Sequence, residues 1–162
     1  MKTIGILTKP KVPDIKHILT DLVSWLRARQ KDVVLDGKTA ALIGEHATYQ
    51  TTQIASLSDM VLVLGGDGTM LNAARLVEER AVPILGVNMG GLGFLTEVSL
   101  DQLYPTLEKV FAQEFYVEQR LMLRAQIHRH GEHVAKATVL NDVVISKGTL
   151  ARMIEIQISI DG

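Results

Sequence analysis

Two periods of apolar residues take turns along the first two thirds of the chain. Lys2 to Thr8, with Ile4, Ile6 and Leu7, reads as a short buried strand. Ile15 to Arg29 then places Ile15, Ile18, Leu19, Leu22, Val23 and Leu26 at the three- and four-residue spacing of an amphipathic helix. Asp32 to Leu35 is a second strand, punctuated by Gly37. Ala40 to Thr52 has no clear period and predicts no element. Met60 to Leu64 is Met-Val-Leu-Val-Leu, too short for a helix and typical of a strand covered on both faces. Gly65-Gly66-Asp67-Gly68-Thr69 interrupts it.

Beyond that break, Met70 to Arg80 is helix-like, and Val82 to Val87 is a buried strand ending at Asn88-Met89-Gly90-Gly91-Leu92-Gly93. Leu100 to Ala112 predicts a further helix, with Ser99 as N-cap and Asp101 and Gln102 in the first turn. Strands and helices alternating with short loops indicate a parallel sheet wrapped by helices in right-handed crossovers. Near Phe115 the character changes. Met122 to Arg129, Ala135 to Ser146 and Met153 to Ile160 look like strands with no helix between them, the last alternating as Ile154, Ile156, Ile158 and Ile160. We expect a boundary near 116, dividing 1–115 from 116–162. Asp161-Gly162 falls where a turn should lead into a partner strand, so the second part reads as an unfinished β layer and the chain as a fragment. Neighbours in an oligomer could cover that layer instead.

Composition adds mainly exclusions. The chain has 162 residues, 47% hydrophobic and 22% charged, inside the ordinary globular range. It has no cysteine, which excludes disulfides, Cys-based metal sites and a thiol nucleophile, and fits a reducing, cytoplasmic address. A net charge of −1 argues against binding nucleic acid by neutralising many phosphates. The uneven spread, positive at the start and negative in the middle, is read as solvated faces. The opening apolar run is too brief for a membrane span, so no membrane is expected.

The strongest chemical signal is Gly65-Gly66-Asp67-Gly68-Thr69 between a buried strand and a helix. Three glycines in five positions allow positive φ and close approach of the backbone to a bulky anion. Backbone N–H groups beside a helix N-terminus make a phosphate cradle. Asp67 is out of place there, because phosphates repel a carboxylate. It could take a proton from an attacking hydroxyl or hold a metal that bridges the phosphates. The bland alternative is a tight turn in which Asp67 caps the helix starting near Gly68. Neither a P-loop nor a Gly-x-Gly-x-x-Gly fingerprint is present.

The second loop, Asn88 to Phe94, also ends a buried strand, so both loops should open on one crevice outside the strand ends. Phe94 there either packs against an adenine ring or belongs to the core. His128, His130 and His133 form a third cluster. His128 and His130 could share a strand face and a metal, but Gly131-Glu132 reads better as a hairpin turn between exposed strands. Trp25 and the methionines are read as packing.

These motifs together resemble the N-terminal part of the NAD kinase family. The family pattern is a Gly-Gly-Asp-Gly loop after a buried strand, here 65–68, then Asn-x-Gly-x-Leu-Gly-Phe-Leu, here Asn88 to Leu95. Next come an Arg-x-x-Leu element, here Arg120 to Leu123, and an Asn-Glu pair before a Val-Val/Ile strand, here Asn141-Asp142-Val143-Val144-Ile145. Asp142 departs from the usual Glu and is one methylene shorter. The resemblance implies a Rossmann-like α/β domain, a parallel sheet with flanking helices, and after it the start of an all-β, sandwich-like domain. The later Thr-Gly-Ser-Thr-Ala-Tyr segment of the family is not in this chain.

The resemblance further implies phosphorylation of the adenosine-ribose 2′-hydroxyl of NAD to give NADP, with ATP or polyphosphate as donor and a divalent ion, Mg²⁺. Residue by residue it makes Asp67 the base, and places Gly65, Gly66, Gly68 and Thr69 in the nucleotide loop. Phe94 falls near the adenine, Asn141 and Asp142 on the nucleotide, and Arg152 close to NAD, reaching it across a subunit contact in a homo-oligomer. Diacylglycerol- or sphingosine-type lipid kinases and phosphofructokinases share the Gly-Gly-Asp loop. The lipid kinases differ in their next loop, which is of the Pro-x-Gly-Thr-x-Asn type in place of Asn88 to Phe94. A non-catalytic nucleotide-binding module is the alternative from another class.

Overall fold

The computed structural model describes residues 1–9, 14–90, 93–146 and 155–160. Five strands make one parallel sheet: β1 (Thr3–Thr8), β2 (Asp32–Leu35), β3 (Met60–Gly65), β4 (Ile84–Asn88) and the two-residue β5 (Val98–Ser99). Their order is β2-β1-β3-β4-β5. Every neighbouring pair is parallel, for example Ile6 against Leu62 and Gly65 against Asn88. Chain order reverses direction between β1 and β3, and in open parallel sheets ligands collect outside the strand ends at such a point.

Helices α1 (Ile15–Ala28), α2 (Gly37–Leu42), α3 (Asp67–Val77) and α4 (Leu103–Phe111) flank the sheet. One layer of core joins Leu19, Leu22 and Leu26 of α1 and Leu103 and Leu107 of α4 to Ile4, Ile6, Leu62 and Leu64. The other joins Ala73 and Val77 of α3 to Leu7, Val61 and Val63. All six β3 residues are buried because alternate side chains enter opposite layers. Trp25 packs at the rim, its ring 5.0 Å from Tyr104 and capped by the Arg29 guanidinium at 3.7 Å.

The sequence misplaces several elements. Helix α2 lies partly in the segment without a clear period; it is only six residues long and is set by Asp36, which accepts from the Thr39 N–H at 2.8 Å and from the Thr51 hydroxyl. Helix α3 begins at Asp67, three residues early. Ser99 does not cap α4: a 3₁₀ turn, Leu100–Gln102, intervenes, and the Ser99 side chain makes no capping bond.

After α4, β6 (Leu123–Arg129) and β7 (Glu132–Val139) form an antiparallel hairpin. Its turn is His130-Gly131, both at positive φ (54° and 83°), which is the demand of a type I′ turn. His130 therefore shares no strand face with His128, whose ring meets His133 instead at 5.4 Å. The strand predicted to run to Ser146 stops at Val139, and 155–160 is not a strand either. Ile156, Ile158 and Ile160 are exposed, since β-rich composition makes a strand only where a neighbour supplies hydrogen bonds. Met153 and Ile154 lie outside the described residues.

Candidate active site

Strand β3 ends in Gly65, and α3 starts two residues later at Asp67 with Gly66 as an N-cap that has no side chain to offer. The glycines do not serve positive φ, as the sequence suggested: Gly66 is extended, with φ −115° and ψ −167°, and neither Gly65 nor Gly68 is left-handed. Their use is space. A Cβ on Gly65 would overlap the Thr69 side chain, whereas one on Gly66 or Gly68 would meet no protein atom within 4 Å. The backbone there faces an open volume beside an uncapped helix N-terminus, which is where an anion is favoured.

The register that sets Gly65 against Asn88 brings the second loop onto the first. Asp67 does not cap α3. Its Oδ2 accepts from the Phe94 N–H at 2.9 Å, and its Oδ1 accepts from the Leu95 N–H at 3.0 Å and from the Thr96 N–H and hydroxyl, both at 3.3 Å. The bonds from the Phe94 and Leu95 N–H groups, opposed by desolvation and helped to a lesser degree by those from Thr96, hold the Asp67 carboxyl below the ordinary carboxylate range. Asn88 adds a local turn by accepting the Gly90 N–H at 2.9 Å.

Phe94 stands 92% exposed, so it is not core. Thr69 lies partly buried under Gly65. The structure thus gathers Gly65, Gly66, Asp67, Gly68, Thr69 and Phe94. Asn141 and Asp142 are exposed beyond the end of β7 and share no hydrogen bond or ion pair with these loops among the described residues; Arg152 lies outside those residues.

Three contributors escaped the sequence. Gly93 permits the contact, since a Cβ on it would lie 2.5 Å from both Asp67 Oδ1 and Thr96 Oγ1. Thr96, only 1% exposed, anchors the carboxylate from below. Lys9, just after β1, donates its N–H to the Leu64 carbonyl at 3.4 Å, which sets a cationic residue at the switch point. The only local signal for Gly93 and Thr96 was their place within and just after the Asn88 to Leu95 stretch.

Residues 4–115 match the model of the ATP-NAD kinase N-terminal domain. The chain belongs to this family. Among relatives of this NAD kinase family, the NAD kinase of Syntrophotalea carbinolica is 46% identical over 162 residues, covering 99% of this chain and 57% of that protein. The NAD kinase of Geobacter sulfurreducens is 44% identical, over 100% of this chain and 57% of that protein. The chain therefore spans little more than half the length of these curated relatives. Among solved structures, yeast NADH kinase complexed with NADH superposes with a TM-score of 0.74 at 19% identity, covering 85% of this chain and 46% of that one. An NAD kinase from Archaeoglobus fulgidus in complex with ATP gives 0.50 at 19% identity, over 76% and 40%. At that identity the likeness speaks for the fold of the family. No helix among the described residues is long and apolar enough to cross a membrane.

Proposed function

We propose that the chain supplies the catalytic loops of an NAD kinase, which moves a phosphoryl group from ATP or another donor to the adenosine-ribose 2′-hydroxyl of NAD. The observation that carries this reading is the fixed carboxylate of Asp67 between two glycine loops, at the strand ends beside the switch point. A ribose hydroxyl is a poor nucleophile, and phosphoryl transfer depends on positioning, charge neutralisation and a proton acceptor. In the step, the 2′-oxygen forms a bond to the terminal phosphorus of the donor, the bond to the departing ADP breaks, and the hydroxyl proton passes to Asp67. The open backbone at Gly66 and Gly68, with Lys9 nearby, suits the negative charge of the phosphates. Phe94 offers its exposed ring to the adenine. Asn141, Asp142 and Arg152 complete the nucleotide site, Arg152 from a second subunit of a homo-oligomer.

Among the described residues no three His, Asp or Glu side chains form a group that would hold a divalent ion without the phosphates of the donor. We place Mg²⁺ with the phosphates of the donor, as part of that substrate. We also keep the division at 115/116: among the described residues the helices end with α4, the family match ends at 115, and we read the hairpin as the start of a β-rich unit.

The deciding experiment is NADP formation from NAD and ATP by the full-length gene product and by its Asp67→Asn variant. The wild type should turn over, and the variant should lose on the order of 10² or more in kcat while still binding NAD. Near-wild-type turnover of the variant would remove Asp67 from the base role. Phosphorylation of a lipid or a sugar in place of NAD would favour the related kinases that share the Gly-Gly-Asp loop.

A further inference from the structure

The two oxygens of Asp67 are not equivalent. Oδ1 takes three donors, the N–H groups of Leu95 and Thr96 and the Thr96 hydroxyl, all partly buried. Oδ2 takes one, the Phe94 N–H, and that bond is exposed. A carboxylate oxygen has about two lone-pair sites, so the Oδ1 position is fully engaged, while the Oδ2 position, whose one bond is exposed, keeps a site open. Resting on the phosphoryl-transfer reading above, we propose that Thr96 is a positioning residue: its hydroxyl fixes the plane of the Asp67 carboxylate, so that the position with an open site stays turned to the reacting hydroxyl.

Thr96 is built for this. Its methyl is wedged against β4, where a Cβ on Gly86 would lie 3.0 Å from Thr96 Cγ2, and its hydroxyl is confined by Gly93. A β-branched side chain so gripped has one practical χ1 rotamer. Without that donor the carboxylate plane could turn part-way about Cβ–Cγ and carry the open lone-pair position away from the reacting hydroxyl. The hydroxyl of Thr96 is the one side-chain donor on Asp67; the other three are backbone N–H groups, and no ion pair reaches Asp67 among the described residues.

Thr96→Ala and Thr96→Ser in the full-length gene product separate the hydroxyl from the packing, since both lack the methyl and only Ser keeps the donor. Relative to Thr96→Ser, Thr96→Ala should lower kcat for NADP formation about tenfold with KM for NAD within about twofold, the pattern of a lost transition-state interaction. The acid limb of its kcat–pH profile should also move to higher pH, because a donor to the charged form is gone. Equal kcat and equal acid limbs in the two variants would overturn the proposal and leave Thr96 as packing. If the wild type forms no NADP, the function fails separately, and the proposal is then judged on the carboxyl ¹³C titration of Asp67, which needs no turnover. A higher midpoint in Thr96→Ala than in Thr96→Ser supports the anchoring of Oδ1, and equal midpoints reject it.

Discussion

A Cβ on Gly93 would sit 2.5 Å from Asp67 Oδ1, so the loop after β4 reaches the carboxylate only because residue 93 has no side chain. Gly93→Ala should therefore push the loop off Asp67 and break the bonds to Phe94, Leu95 and Thr96 without touching the buried layers. We expect far-UV circular dichroism unchanged and kcat/KM for NADP formation reduced about 10²-fold, within the range of misplacing a catalytic group by an ångström. Unaltered activity would mean that the loop bonds are dispensable.

Gly66 provides the contrast. Its backbone is extended and its added Cβ meets no protein atom within 4 Å, so Gly66→Ala should fold as well as the wild type. If the open volume receives phosphates, the methyl group intrudes on them, and KM for ATP should rise about tenfold, a change of about 1.4 kcal/mol in binding. An unchanged KM for ATP would place the phosphates elsewhere.

How much of the fold and site was legible in the sequence depends on where each signal resides. β1, α1, β2 and β3 were readable because the burial of Ile4, Leu22, Leu35 and Leu62 is written in local period. Helix α2 was not, because Asp36 organises it through Thr39 and Thr51, fifteen positions away in the latter case. Residues 143–146 and 155–160 misled because Val144 and Ile158 favour strands by side-chain type, while pairing depends on a neighbour that local sequence cannot display. At the site, Asp67 was legible as a candidate because a carboxylate is out of place in a glycine loop. Its partners were not, since the bond to Phe94 spans 27 residues and exists only through the pairing of Gly65 with Asn88.

The buried strand also makes a sharp stability prediction. Leu62 is fully buried at the centre of β3, touching the layer built by α1 and α4. Leu62→Ala should destabilise the fold by about 2–5 kcal/mol, the range for emptying a rigid core position. Urea unfolding followed by circular dichroism would read this as a lower midpoint with an unchanged slope.

Acid should act through the carboxylates that the fold holds ionised. Asp36 resists burial, which raises its pKa, because bonds from Thr51 and Thr39 more than offset it; Asp59 is lowered by the N–H groups of Thr3 and Lys2. A group whose pKa is lower folded than unfolded contributes stability that is present above the unfolded value, about 3.9, and is lost as pH falls through the folded value. Thermal midpoints should be flat from about pH 7 to 5 and fall below about pH 4, less steeply in Asp59→Asn than in the wild type. Parallel acid limbs in the two proteins would show that Asp59 is not held ionised by β1.

Gly68 sets stability against function within one residue. It lies in the first turn of α3, is not left-handed, and a Cβ there would meet no protein atom within 4 Å. Replacing a helical glycine by alanine restricts the unfolded chain and stabilises by about 0.5–1 kcal/mol, so Gly68→Ala should raise the thermal midpoint by about a few degrees. The same methyl group projects into the volume assigned to the nucleotide, so affinity should fall while the fold improves. Calorimetric titration of NAD into the full-length gene product and its Gly68→Ala variant would measure this, with a Kd about tenfold weaker expected for the variant. A variant that is more stable and binds NAD equally well would show that Gly68 is a feature of the helix start alone and that NAD does not touch it.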